Sequence, residues 1–306
     1  MKRHSDSPSV IVMTGGRGLK QVGLLYLSEL KRAAGPVIMD IKPLTGALGA
    51  EIFGVDLAAP LDDRTIAAIR SALLDHLLVV FRDQHLTPEQ HAAFARRFGP
   101  LHNFAYTAAR ALPDHPEVLR VVKEKEDRKV FGELWHADVT FLEKPVLGSI
   151  LHAIETPKQG GDTLFANMYL AYESLSDGMK ALLERLTAVH ESEVRAENAG
   201  PGANGAPGGF VTMGTEHPVI RIHPETKRKS LFVNRTYTTR FSGMTVEESR
   251  PLLEFLFQHA TQPEFITRLR WGPGTVTFWD NRCTQHRPLN DYHGQRREMH
   301  RITIAG

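Results

Sequence analysis

Trp135-His136-Ala137-Asp138-Val139-Thr140-Phe141 sets two ligand-type side chains, His136 and Asp138, two residues apart in a run whose Val, Thr and Phe favour extended backbone. In a strand that spacing sends both side chains to one face, so the stretch predicts a strand offering two donors to one metal ion. The pair alone is a weak signal. With 15 histidines the chain also holds His4/Asp6, His115/Glu117 and His223/Glu225. Those read as coincidence, because His4 lies in a poorly patterned leader and the other two pairs are interrupted by proline in turn-like contexts.

A second cluster raises the weight of the first: Trp279-Asp280-Asn281-Arg282-Cys283-Thr284-Gln285-His286. Two histidines and one carboxylate on one side of a metal leave the remaining positions open for substrate and O2, the facial triad of non-haem Fe(II) oxygenases. Zinc-dependent hydrolysis can use a similar set, so the ligands leave both chemistries open. Arg297 and Arg301 follow His286 by 11 and 15 residues on a terminal strand-like stretch, spaced to share a face. A guanidinium fork binds a carboxylate through two parallel hydrogen bonds, although exposed arginines are the common case.

Around these motifs the pattern is β-rich with helices outside. Asp62 or Asp63 caps a helix through Ile66, Ile69, Leu73 and Leu74, and Leu77 to Phe81 reads as a buried strand. Thr87-Pro88-Glu89-Gln90 is a capping box with a first-turn proline, opening a helix over His91 to Phe98. Two further helices are expected after Ser176, through Leu186, and after Thr245 with Glu248 at the capping-box position. Short strands are expected at Leu147 to Ile154, Val219 to Ile222, Leu231 to Val233, Thr275 to Trp279 and Arg301 to Ile304. Residues 1–36 form a separate N-terminal extension and 37–306 one domain. The Gly- and Pro-rich stretch Asn198 to Gly214 marks a long loop, bounded at 194–216 and expected to cover a site.

Composition limits the alternatives. The 306 residues carry 37 basic against 35 acidic groups, net +2, so no electrostatic footprint for nucleic acid or an anionic membrane is present. A small-molecule substrate follows as the expectation. Cys283 is the only cysteine, which excludes an internal disulfide and a multi-thiolate metal site. No apolar run reaches membrane-spanning or signal-peptide length, so a cytoplasmic location is expected.

The order W-H-x-D-V-T-F, G-G-D-T at Gly160 to Thr163, W-D-N-R-x-T-Q-H and Q-R-R-x-M-H-R resembles the taurine dioxygenase and 2,4-dichlorophenoxyacetate dioxygenase family over roughly residues 37 to 306. The resemblance implies a distorted jelly roll, a double-stranded β-helix. It also implies Fe(II) held by His136, Asp138 and His286, with Thr163 and Arg297 holding the carboxylates of 2-oxoglutarate and Arg301 reaching toward substrate. Such enzymes consume 2-oxoglutarate and O2, release succinate and CO2, and hydroxylate a C–H bond; a homo-oligomer is the expected assembly.

Substrate residues depart from the taurine-specific pattern. Gly132 stands where an asparagine precedes the first ligand, Phe104 where a histidine follows the F-G-x-L-H segment, and Tyr237 where the pocket has a phenylalanine. Loss of polar groups disfavours taurine and favours an anion with a larger or more apolar tail. An alkyl sulfate or sulfonate is the first expectation, with His102, Phe104, Tyr237 and Arg301 as the pocket, and an aryloxyalkanoate is the alternative. A zinc hydrolase or a non-catalytic binding member of the fold would have no use for Thr163 and Arg297 placed around a keto acid, or would lack a ligand.

Overall fold

Residues 39–102, 110–195 and 209–306 are described by a computed structural model. Short β-prone runs between turns give, in chain order, β1 (Asp40–Pro43), β2 (Ala50–Phe53), β3 (Leu78–Phe81), β4 (Ala111–Leu112), β5 (His115–Lys123), β6 (Gly148–Glu155), β7 (Thr163–Asn167) and β8 (Thr187–Arg195). They continue as β9 (Phe210–Pro218), β10 (Ile220–Ile222), β11 (Lys229–Leu231), β12 (Thr238–Phe241), β13 (Ile266–Leu269), β14 (Val276–Asp280), β15 (Thr284–Pro288) and β16 (Arg297–Ile304). Eight of these form one sheet in the order β1-β2-β3-β14-β6-β16-β5-β4, antiparallel except where β2 meets β3. A second sheet has the order β13-β7-β15, a third β12-β8-β9, and β10 pairs with β11.

Residue parity in the large sheet decides what covers each face. Val79, Phe81, Ile150, Phe278 and Ile302 point outward into a cluster with Ile66, Ile69 and Leu73 of helix α1 (Asp63–His76) and Phe94 of helix α2 (Pro88–Arg96). Their neighbours Leu78, Val80, Ala153, Trp279 and Met299 point inward and pack against Phe165 of β7 and Leu269 of β13. Two sheets therefore face each other across one apolar layer, with helices outside the larger. This is the mainly β jelly roll with flanking helices that was expected.

The helix starts follow their caps. Asp62 accepts from Thr65 N at 2.8 Å, and Thr87 and Gln90 close the capping box of α2. Helices α3 (Met168–Glu173) and α4 (Asp177–Leu183) follow β7, and α5 (Val246–Ala260) opens on the Thr245/Glu248 box. Ser176 caps α4 as expected, but the helix stops at Leu183: Glu184 is its C-cap, and Leu186 lies beyond it, one residue before β8.

Three more readings change. The strand expected at Leu231 to Val233 ends at Leu231, the last residue of β11. The run 135–141 is no regular strand: His136 makes one isolated antiparallel bridge to His286, and the chain then turns, with Val139 at φ +49°. The 194–216 loop is shorter than its composition suggests, since β8 runs to Arg195 and β9 begins at Phe210, paired residue for residue from Thr187↔Pro218 to Arg195↔Phe210. The rest of that loop, the 1–36 extension and Phe104 lie outside the described residues. Among the described residues no helix is long and apolar enough to cross a membrane.

Candidate active site

The bridge between His136 and His286 brings the two motifs together: each backbone N–H donates to the other's carbonyl, at 3.1 and 2.8 Å. The turn that follows is pinned by Asn281, whose Oδ1 accepts from Asp138 N at 2.6 Å and whose Nδ2 donates to Asp138 O at 2.9 Å. Bridge and turn together do what the expected strand would have done. The ligand-type atoms of His136, Asp138 and His286 lie within 4.8 Å of one another, all buried. His136 Nε2 is 3.8 Å from Asp138 Oδ1, and the two imidazole centroids are 4.2 Å apart.

Protonation suits metal binding. His136 Nδ1 donates to Leu134 O at 2.8 Å, which leaves the Nε2 lone pair directed at the other two ligands. Burial keeps both rings neutral, lowering His136 and taking His286 down to about 3. Burial alone would raise Asp138, but the Arg301 guanidinium first and the Ser149 hydroxyl beside it hold it down, at about 2. Arg301 Nη1 donates to Asp138 Oδ1 at 2.9 Å and Ser149 Oγ to Oδ2 at 3.0 Å. Two neutral imidazoles and one ionised, oriented carboxylate fit a divalent first-row metal. Phe165 stacks on His286 at 5.8 Å, and Trp279 lies 4.9 Å from the same ring.

One cavity contains His136, His286, Thr163, Arg297 and Arg301, walled by Val121, Phe131, Leu151, Phe165, Trp279 and Pro288. Arg297 and Arg301 share the inner face of β16, both buried. Thr163 Oγ1 accepts from Trp271 Nε1 at 2.9 Å, so its own hydroxyl proton is left to donate elsewhere. Burial lowers the Arg297 pKa, with Tyr292 and Asp162 acting against it. The left-handed glycines Gly160 and Gly161 let the chain pass close to Asp291 and Tyr292 just before Thr163.

Of the substrate candidates, Tyr237 sits with its ring 6.4 Å from His136 and 5.2 Å from Phe141. Burial pushes its hydroxyl pKa up. His102 is not among the cavity-lining residues; its backbone N–H donates to Thr303 O at 2.8 Å, and burial lowers its imidazole. Four contributors have no motif role in the sequence reading: Ser149, Leu134, Trp271 and Tyr292. Asn281 and Trp279 stood inside the quoted motif without an assigned task.

A second group, His223, Asp280 and Cys283, also falls within ligand distance, but its lone pairs are already used. His223 Nδ1 accepts from Glu225 N and Thr226 N, its Nε2 donates to Asp280, and Arg282 forks onto both Asp280 oxygens. That group braces the loop leading to His286 and offers no open metal position.

Fold and site together define a non-haem metal oxygenase with a His-Asp-His facial triad. The chain belongs to the family described as taurine catabolism dioxygenase TauD, TfdA family, whose profile matches residues 40–303. It is 37% identical over 279 residues to an alkylsulfatase of Acinetobacter baylyi, covering 88% of this chain and 85% of the relative. It is 38% identical over 276 residues to an (S)-phenoxypropionate/alpha-ketoglutarate-dioxygenase of Sphingobium herbicidovorans, covering 87% and 95%. The crystal structure of a taurine dioxygenase from Burkholderia xenovorans superposes with a TM-score of 0.75 at 38% identity, covering 88% of this chain and 91% of that one.

Proposed function

We propose that this chain is an Fe(II)- and 2-oxoglutarate-dependent dioxygenase that hydroxylates a C–H bond next to the heteroatom of an alkyl sulfate or sulfonate. The observation that carries the reading is the convergence on one cavity of His136 and His286, with Asp138 within ligand distance of both, and of two buried arginines and a threonine from other strands. His136, Asp138 and His286 would hold the iron, which when bound supplies the site for keto-acid chelation and O2 activation. Arg297 and the Thr163 hydroxyl would take carboxylate oxygens of 2-oxoglutarate, fixing the co-substrate before oxygen reacts. Arg301, already beside Asp138, would face the anionic head of the organic substrate.

The chain's own contribution is orientation and exclusion of water. Val121, Leu151, Phe165 and Trp279 keep the cavity wall apolar, which strengthens the charged contacts inside it. A hydroxyl placed on a carbon bearing a sulfate ester makes an unstable product that collapses to an aldehyde and sulfate. Decarboxylation of 2-oxoglutarate supplies the two electrons that complete O2 reduction, giving succinate and CO2. A zinc-dependent hydrolysis would leave Arg297 and Thr163 without a task.

A second reading, cleavage of an aryloxyalkanoate, is favoured by aromatic groups near the triad, Phe131, Phe141 and Tyr237, and by the phenoxypropionate relative. Both substrate classes pair a carboxylate- or sulfate-like anion with an apolar tail. We place the enzyme in the cytoplasm as a homo-oligomer, a state that sedimentation would read directly. The deciding experiment measures succinate formed from 2-oxoglutarate with Fe(II), ascorbate and O2 across alkyl sulfates, alkylsulfonates and aryloxyalkanoates. Stimulation by alkyl sulfates with equal sulfate release supports the first reading, and phenol release from aryloxyalkanoates alone replaces it with the second. Iron-loaded protein that neither binds 2-oxoglutarate nor forms succinate overturns both.

A further inference from the structure

Lys123 ends β5 directly opposite Arg297 of β16, in register with the pairs Val121↔Met299 and Leu119↔Arg301. Opposed residues of an antiparallel pair share a face, so Lys123 lies on the side of the sheet that carries Val121, Arg297 and Arg301 into the cavity. Its side chain is 3% exposed, and its ammonium has no hydrogen-bond partner among the described residues. The contact it does make is with the face of Tyr292, 4.7 Å from the ring centroid. Tyr292 is itself buried and interacts through its hydroxyl with Arg297, whose Nε is also without a partner.

Two cations thus stand side by side inside the barrel, bridged by one phenol ring. Asp162 is the acidic group that acts on Arg297, and its carboxylate is engaged at 2.6 Å by Arg268 Nε. Like charges opposed across a strand pair destabilise it, and a buried ammonium without a partner is costly. The ring faces of Tyr292 under Lys123 and of Trp271 under Arg297, 5.6 Å from its centroid, offset part of that cost; among the described residues no carboxylate hydrogen-bonds the Lys123 ammonium, whereas a ligand with a remote carboxylate would. A positively charged, partly unsatisfied corner is what a dicarboxylic keto acid requires and a monocarboxylic one does not.

We propose that Lys123 is a second cation of the co-substrate subsite, acting with Arg297 through Tyr292 to select a dicarboxylic 2-oxo acid over a monocarboxylic one. This rests on the reading of the cavity as a 2-oxoglutarate site. Lys123 is a positioning residue: it adds positive potential and fixes the ring against which Arg297 is set. The ligand-free protein carries the repulsion, and the bound anion relieves it.

The test is calorimetric titration of 2-oxoglutarate, and separately of pyruvate, into Fe(II)-loaded protein without O2, using wild type, Lys123→Met, Lys123→Arg and Arg297→Ala. Lys123→Met should weaken 2-oxoglutarate by about tenfold and leave pyruvate unchanged, while Lys123→Arg keeps wild-type selectivity. The ligand-free melting temperature of Lys123→Met should equal or exceed that of wild type, because a repulsion is removed. Lys123→Gln carries the same expectations should the apolar variant fold poorly. Unchanged 2-oxoglutarate affinity, or equal weakening of both acids, overturns the inference. Wild-type protein that does not bind 2-oxoglutarate overturns the proposed function itself; binding that Arg297→Ala weakens and Lys123→Met does not overturns only this inference.

Discussion

An added Cβ at position 132 would lie 2.8 Å from Cε1 of His136, and Gly132 has φ +74°. The position that bears an asparagine in the taurine-specific pattern is here a left-handed glycine packed against the ring of His136, the proposed ligand, so a side chain at this position would press on that ring as well as change the pocket's chemistry. Gly132→Ala should cost about 1–2 kcal/mol in backbone strain and displace the imidazole, lowering iron affinity by roughly tenfold; metal titration of the folded variant checks it. The two arginines differ in the same residue-level way. Arg297→Ala should mainly raise the KM for 2-oxoglutarate. Arg301→Ala should mainly raise the KM for the organic substrate, and it should also weaken iron binding, because Arg301 holds Asp138 Oδ1. Steady-state kinetics with each substrate varied in turn separates them, and the reverse pattern would exchange their roles.

At the scale of elements, the turn 138–142 shows where sequence reading ends. Val139, Thr140 and Phe141 have strand-like chemistry, yet Val139 adopts a left-handed backbone because contacts from distant strands outweigh local preference. His217 on β9 donates through Nε2 to Thr140 O at 2.9 Å and Leu142 O at 3.0 Å. Asn234 donates to Thr140 Oγ1 at 3.0 Å, and His190 on β8 shares a hydrogen bond with the same oxygen at 2.9 Å. Such partners are far apart in sequence and carry no periodic signal. Helix caps and motif spacings are local and could be read; Ser149, Tyr292 and this network could not. The element-level consequence is that the β8–β9 hairpin supports the turn that carries Asp138. His217→Phe, which keeps a ring but removes the donor, should reduce iron affinity by about tenfold while the protein still folds. Unaltered affinity in a metal titration would show that Asn281 suffices to hold the turn.

Across the whole molecule, apolar layers on both faces of the large sheet enclose polar groups whose ionisation opposes folding. His91 of α2 is buried with its ring 6.0 Å from that of His152, and burial first, then the neighbouring His152 and His300, lowers its pKa from 6.5 to about 3. His190 is depressed to about 3 in the same way, by burial and by His217 and Arg221. For a histidine with a folded-state pKa below its unfolded value, the unfolded chain binds more protons as pH falls through 6.5. The stabilisation is therefore complete above about pH 6.5 and is lost progressively between there and about pH 3, the opposite of a histidine stabilised by an acidic partner. At about pH 5 each such group would remove up to about 2 kcal/mol of stability. Neither ring belongs to the proposed metal set His136, Asp138 and His286, so the loss should persist in iron-loaded protein. Urea unfolding at about pH 7.5 and about pH 5 should show the decline in wild type and a shallower one in His91→Leu, which removes the titrating ring from an apolar site. Equal declines in the two proteins would mean that His91 reaches water, and protons, before the barrel opens.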